Sequence, residues 1–99
     1  MPFNSKMYPY TKEAIMDFDP KASGVYGIFL DKTPVFIGSG RIREHLLKHI
    51  TGDDICITTG FPNHWTAEVL PGDPSVREAE LLKEYHPPCN EELPYAERF

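Results

Sequence analysis

One carboxylate and one stripe of nitrogen-bearing side chains carry the chemistry legible in this 99-residue chain. On a helix expected from about Ser75 to Tyr85, Val76, Ala79, Leu81, Leu82 and Tyr85 share one arc, and Glu78 lies near its centre. Arg77, Glu80, Lys83 and Glu84 fall opposite, as solvated charges do. A bare carboxylate on an apolar arc costs several kcal/mol, so it must be ion-paired, bind a cation or open into a cleft. A salt bridge to Arg41 or Arg43 and a functional acid are both open readings. Upstream, Arg41, His45 and His49 recur at i, i+4 and i+8 of a second expected helix, forming a stripe able to donate hydrogen bonds to a phosphate. His45 and His49 with Cys56 also match a zinc-binding spacing, although no second ligand pair completes a tetrahedral set. Gly38-Ser39-Gly40 lacks the spacing and the Lys-Ser/Thr of a phosphate-cradling loop, and no G-x-S-x-G nucleophile elbow is present.

These groups need elements to position them. Gly24–Leu30 is apolar on both faces, the pattern of a strand covered on two sides. Asp31-Lys32-Thr33 suits a hairpin loop and Pro34 opens a second strand, Val35–Gly38, which so short a connection forces to be antiparallel. Ser39-Gly40 is expected to end that strand and Arg41–Ile50 to form a helix, with Ile42, Leu46, Leu47 and Ile50 on its core face. Gly52 stops it. Earlier, residues 1–10 read as an irregular arm, and Thr11 caps a short helix over Lys12–Phe18 that Asp19-Pro20 ends. Later, residues 53–63 form a connector and His64–Leu70 a third strand, before the helix that carries Glu78. Residues 89–99 show no strong pattern.

Composition narrows the classes. The net charge is −5, yet residues 32–50 carry Lys32, Arg41, Arg43 and Lys48 against Glu44, a local +3. One basic segment in an acidic chain suits a small anion site, and argues against broad nucleic-acid adhesion. No apolar run approaches a membrane span and no signal-peptide core is visible, so a cytoplasmic protein without a membrane partner is expected. Cys56 and Cys89 are too few for a disulfide scaffold, and both are expected as reduced thiols.

Gly24-Val25-Tyr26 and Phe36-Ile37-Gly38 lie on consecutive strands with a helix next, and Glu78 and Asn90 follow downstream. This ordered set resembles the GIY-YIG nuclease superfamily over about residues 22–90. The resemblance implies an α+β fold, a small three-stranded antiparallel sheet flanked by helices, with residues 1–99 as a single domain. It implies hydrolysis of DNA phosphodiester bonds with one divalent cation, Mg²⁺ or Mn²⁺. Tyr26 would activate or position the attacking water, and Glu78 would bind the metal. His49 matches a helix histidine of several members, and Asn90 matches the asparagine twelve positions after the glutamate. Two residues depart from the pattern: Phe36 stands at the second motif tyrosine, and His45 at the family's helix arginine, for which Arg41 is the nearest substitute. Gly24, Phe36 and Gly38 are then motif positions of the scaffold. The alternative is an inactive module of this fold that binds nucleic acid or a protein partner. With so short a chain, a specific nuclease would need a homodimer or a partner protein.

Overall fold

The sheet is built outward from β2, the strand with apolar residues on both sides. A computed structural model describes residues 3, 6–52 and 55–90. The elements run β1 (Tyr8–Pro9), α1 (Lys12–Met16), β2 (Ser23–Leu30), β3 (Thr33–Arg41), α2 (Ile42–Ile50), α3 (Ile55–Thr59), β4 (His64–Val69) and α4 (Ser75–Tyr85). The strands pair antiparallel in the order β1-β4-β2-β3. The expected α+β class and antiparallel sheet are therefore present. The arm, expected to be irregular, adds a two-residue fourth strand in which Tyr8 pairs with Trp65. Stacking of the two rings at 4.6 Å between centroids holds it there. Asp53-Asp54 of the connector and residues 91–99 of the tail lie outside the described residues.

Alternation along β2 sends its side chains into two cores. Tyr26 and Ile28 join Ile15, Ile42, Leu46, Ile57 and Trp65 beneath α1, α2 and α3. Val25 joins Ile37 and Leu81 beneath α4, where Phe3, Leu82 and Tyr85 pack against them. Ile42 and Leu46 are both 0% exposed and anchor α2, each burial contributing about 1.5–3 kcal/mol. That fixes the rotation of α2 and so the direction in which His45 and His49 point.

Three local expectations change. β3 does not stop at Ser39-Gly40; it continues to Arg41, with Ser39 and Gly40 paired to Val25 and Gly24. Gly40 makes this possible: it sits at φ +121°, where L side chains are strained, and a Cβ there would lie 2.9 Å from His45 Nε2. Helix α2 accordingly begins at Ile42. On α4 Leu81, Leu82 and Tyr85 of the apolar arc face the core, but Val76 is 80% exposed and Ala79 is exposed as well. Glu78 and also Arg77, expected on the solvated side, reach polar partners on the sheet. Finally, Cys56 and Cys89 are not free thiols but form a disulfide, with their Cα atoms 5.7 Å apart. The Cys89 amide donates to the Val35 carbonyl at 3.1 Å, which brings the chain after α4 alongside β3 and next to α3. Bonded to Cys89, Cys56 is no ligand for zinc. Among the described residues, no helix is long and apolar enough to cross a membrane.

Candidate active site

Three consecutive residues of β3, Ile37, Gly38 and Ser39, each hold one of the side chains singled out by sequence. β3 is the last strand in the sheet order, so its outward backbone groups are not met by another strand. At Ile37 they are met by Asn90: its Oδ1 accepts the Ile37 N–H and its Nδ2 donates to the Ile37 carbonyl, both at 2.7 Å. The amide thereby imitates one residue of a neighbouring strand.

Gly38 lies opposite Tyr26 on the α2 side of the sheet. A Cβ at Gly38 would stand 2.5 Å from the Tyr26 phenol oxygen, so only glycine lets the ring lie flat against the strand. Gly24 has a similar steric role two residues before Tyr26 on β2, where a Cβ would meet the Glu68 carbonyl oxygen at 1.9 Å. Tyr26 is 2% exposed, and its hydroxyl is 3.0 Å from His49 Nε2. The rings of Phe36, His45 and His49 surround it at 6.2, 6.0 and 5.8 Å between centroids. Phe36 also packs on His49 at 5.1 Å, filling the position of the second motif tyrosine with a ring that has no hydroxyl. With His49 Nε2 unprotonated, the phenol donates to it. The pair is then a hydrogen-bonded couple that can hold or pass one proton.

Ser39 lies opposite Val25, on the α4 side, and its hydroxyl donates to Glu78 Oε1 at 2.8 Å. Sequence reading passed over Ser39. The available signal was the two-residue period of β3, which puts Ser39 on the same face as Ile37, had the strand been carried past Gly38. The salt bridge weighed for Glu78 is absent. Arg43 instead points back to α1, where its Nη2 lies 3.6 Å from Met16 Sδ. Arg41 ends β3 with a side chain 69% exposed and pairs with Glu44 at 4.0 Å. It stands apart from the ring cluster, where His45 occupies the inward position.

The ion pair on this face belongs to Arg77, expected to be a solvated charge. Its guanidinium forks onto Glu68 of β4 through two bonds of 2.8 Å, with side chains only 18% and 13% exposed, and it also donates to Glu80. Glu68 above all, then Glu80, hold the guanidinium above the ordinary arginine range against the effect of burial. Among the described residues, then, Glu78 keeps a half-buried carboxylate with a hydroxyl donor and no cationic partner. No three His, Cys, Asp or Glu side chains among them cluster as a complete metal cage. One carboxylate fits a small hard cation that keeps most of its waters.

No protein-family model matches the sequence, and no curated protein matches it. Solved structures do match. The GIY-YIG N-terminal endonuclease domain of UvrC from Thermotoga maritima, bound to its catalytic magnesium, aligns with a TM-score of 0.65 at 23% identity, over 80% of this chain and 98% of that one. Two point mutants of the same domain, each bound to its catalytic divalent cation, align with the same TM-score at 23% and 24% identity. In each case about four-fifths of this chain covers nearly the whole of the other. The chain has the GIY-YIG fold.

Proposed function

We propose that this protein is a metal-dependent endonuclease acting on DNA, with a site along the β3 edge and residues 22–90 as the core of a single domain. The observation that supports this reading is the succession Ile37-Gly38-Ser39 on the β3 edge, whose members meet Asn90, Tyr26 on the α2 side and Glu78 on the α4 side at three adjacent positions. Glu78 would hold a divalent cation, Mg²⁺ or Mn²⁺, which when bound supplies positive charge to the attacked phosphate. Ser39 fixes one oxygen of Glu78 and leaves the other to face that charge. Tyr26 takes a proton at its phenol oxygen from the attacking water as its own phenol proton passes to His49 Nε2. His45, next to the Tyr26 ring, donates to a phosphate oxygen from the position where the sequence resemblance expects an arginine, and Arg41 neutralises a phosphate farther along the strand. Asn90 keeps the β3 edge straight. The protein works in the cytoplasm, and a second copy or a partner protein supplies sequence specificity.

One observation favours a second reading, an inactive module of the same fold that binds nucleic acid or a partner. Among the described residues, Phe36 and His45 stand beside Tyr26 where the resemblance expects a second phenol and a guanidinium. A neutral imidazole stabilises developing phosphate charge far less than an arginine fork. Incubating the purified chain with supercoiled and branched DNA and Mg²⁺ or Mn²⁺ separates the two. Nicking that disappears in Glu78→Gln supports the nuclease. Absence of nicking, with none gained in the double variant Phe36→Tyr/His45→Arg, overturns it. Salt-dependent DNA binding without turnover then identifies the module.

A further inference from the structure

We infer that the Cys56–Cys89 bond is a reversible redox latch that holds Asn90 against the β3 edge. The segment after α4 is buried at Pro87 and Cys89 where it reaches β3. Pro87 and Pro88 carry no amide hydrogen to donate. Among the described residues, three ties join the chain beyond them to other elements: the Cys89 amide on the Val35 carbonyl at 3.1 Å, the two bonds between the Asn90 side chain and Ile37 at 2.7 Å, and the disulfide. Two of these three hold backbone groups of one strand, two residues apart. The third is covalent and ties the segment to a different element. Its other end is α3, five residues long, with Ile57 as its buried residue. The sulfur bridge therefore joins this short helix to the residue immediately before Asn90.

The bond is also within reach of a reductant. A groove of about 320 Å³ is lined by both cysteines, with Pro34, Val35, Gly60 and Pro88 among its walls. Cys89 is 2% exposed and Cys56 is half-buried, so attack comes at Cys56 Sγ. One thiolate of a small dithiol bonds to Cys56 Sγ as the disulfide breaks, and Cys89 leaves as a thiolate that takes a proton from water. The second thiolate of the reductant then attacks its own sulfur in the mixed disulfide, closes a cyclic disulfide and releases the Cys56 thiolate, which is protonated in turn. The dithiol gives up two electrons and the cysteine pair gains them. In a reducing compartment the pair rests as thiols with Asn90 loosely held; an oxidising disulfide runs the exchange backwards and closes the latch. That closure changes DNA cleavage rests on the function proposed above; the latch itself does not.

The test is amide hydrogen exchange of the full-length ¹⁵N-labelled chain, oxidised and then reduced with dithiothreitol, with thiols titrated and far-UV circular dichroism recorded in each state. The oxidised chain is expected to titrate no thiol and the reduced chain two. Reduction should speed exchange at the Ile37 amide by at least about tenfold and move the Asn90 side-chain signals, while the Ile28 amide at the sheet centre keeps its rate. Oxidised glutathione should reverse both changes, and Cys56→Ser/Cys89→Ser should match the reduced chain. Three results overturn the latch: thiols that stay free in oxidised glutathione, identical Ile37 and Asn90 signals in both states, or loss of all protection together on reduction. No metal or DNA enters this measurement, so a working latch on a chain that cleaves nothing removes only the nuclease reading.

Discussion

Two carboxylates on the α4 face of the sheet divide the work between them. Glu68 and Ser39 flank Val25 on either side, on β4 and β3, and neighbouring residues of α4 reach one each. Arg77 goes to Glu68 and Glu78 goes to Ser39. Glu68 is thus closed off by a bidentate cation, while Glu78, one residue along the helix, meets only a hydroxyl. The lesson is that charge on a half-buried helix face is not one property. A pair satisfied on both sides stabilises the fold, and an acid left with a neutral donor keeps its charge unpaired among the described residues.

The largest expected effect separates the two acids outright. Glu78→Gln should lower metal-dependent cleavage by about 10²–10³ and leave the urea midpoint near that of the wild type. Arg77→Ala should do the reverse, costing about 2 kcal/mol by stranding Glu68 with cleavage per folded molecule unchanged. If both variants lost the same property, the division would collapse. A smaller effect is expected at the hydroxyl. Ser39→Ala should weaken Mg²⁺ binding by roughly tenfold in calorimetry, the low end of what loss of an outer partner to a metal ligand costs, and Ser39→Thr should restore it. Equal affinity in all three would show that Glu78 needs no help.

The smallest effect concerns the start of α4, which orients both residues. The Ser75 hydroxyl, then the Ser75 amide, donate to the Asp73 carboxylate and hold it below its ordinary value of 3.8. A carboxyl lowered on folding stabilises above its unfolded value and loses that contribution as pH falls through the folded one. Asp73→Ala should therefore melt slightly below the wild type at pH 7, and the gap should close in acid below about pH 3.8. A gap that persists at low pH would assign the effect to something other than this charge.

Much of the fold was legible because it is local. The apolar strand around Tyr26, the tight hairpin and the His45–His49 spacing are each set within a few residues, and the ring cluster forms where they indicate. Glu78 was singled out on an arc that included Val76 and Ala79, both of which face solvent. Leu81, Leu82 and Tyr85 of the same arc do face the core, and Arg77 joins that side because it finds a partner on a strand, about which hydrophobic periodicity contains no information. Ser39 and Glu78 are 39 positions apart, and Cys56 and Cys89 are 33 apart. Contacts like these depend on which strands become neighbours, so the composition that suggested reduced thiols had no means of bringing the two sulfurs together.

Asn90 has a consequence beyond its neighbours. A bare edge strand is a template on which a second chain can add itself, and sheet proteins need some means of refusing that addition. Here a side-chain amide occupies both outward groups of Ile37, and the Cys89 amide takes the carbonyl of Val35. An asparagine side chain carries no further backbone ladder, so the pairing ends where it begins. The residue that straightens the β3 edge also keeps that edge from growing into an aggregate.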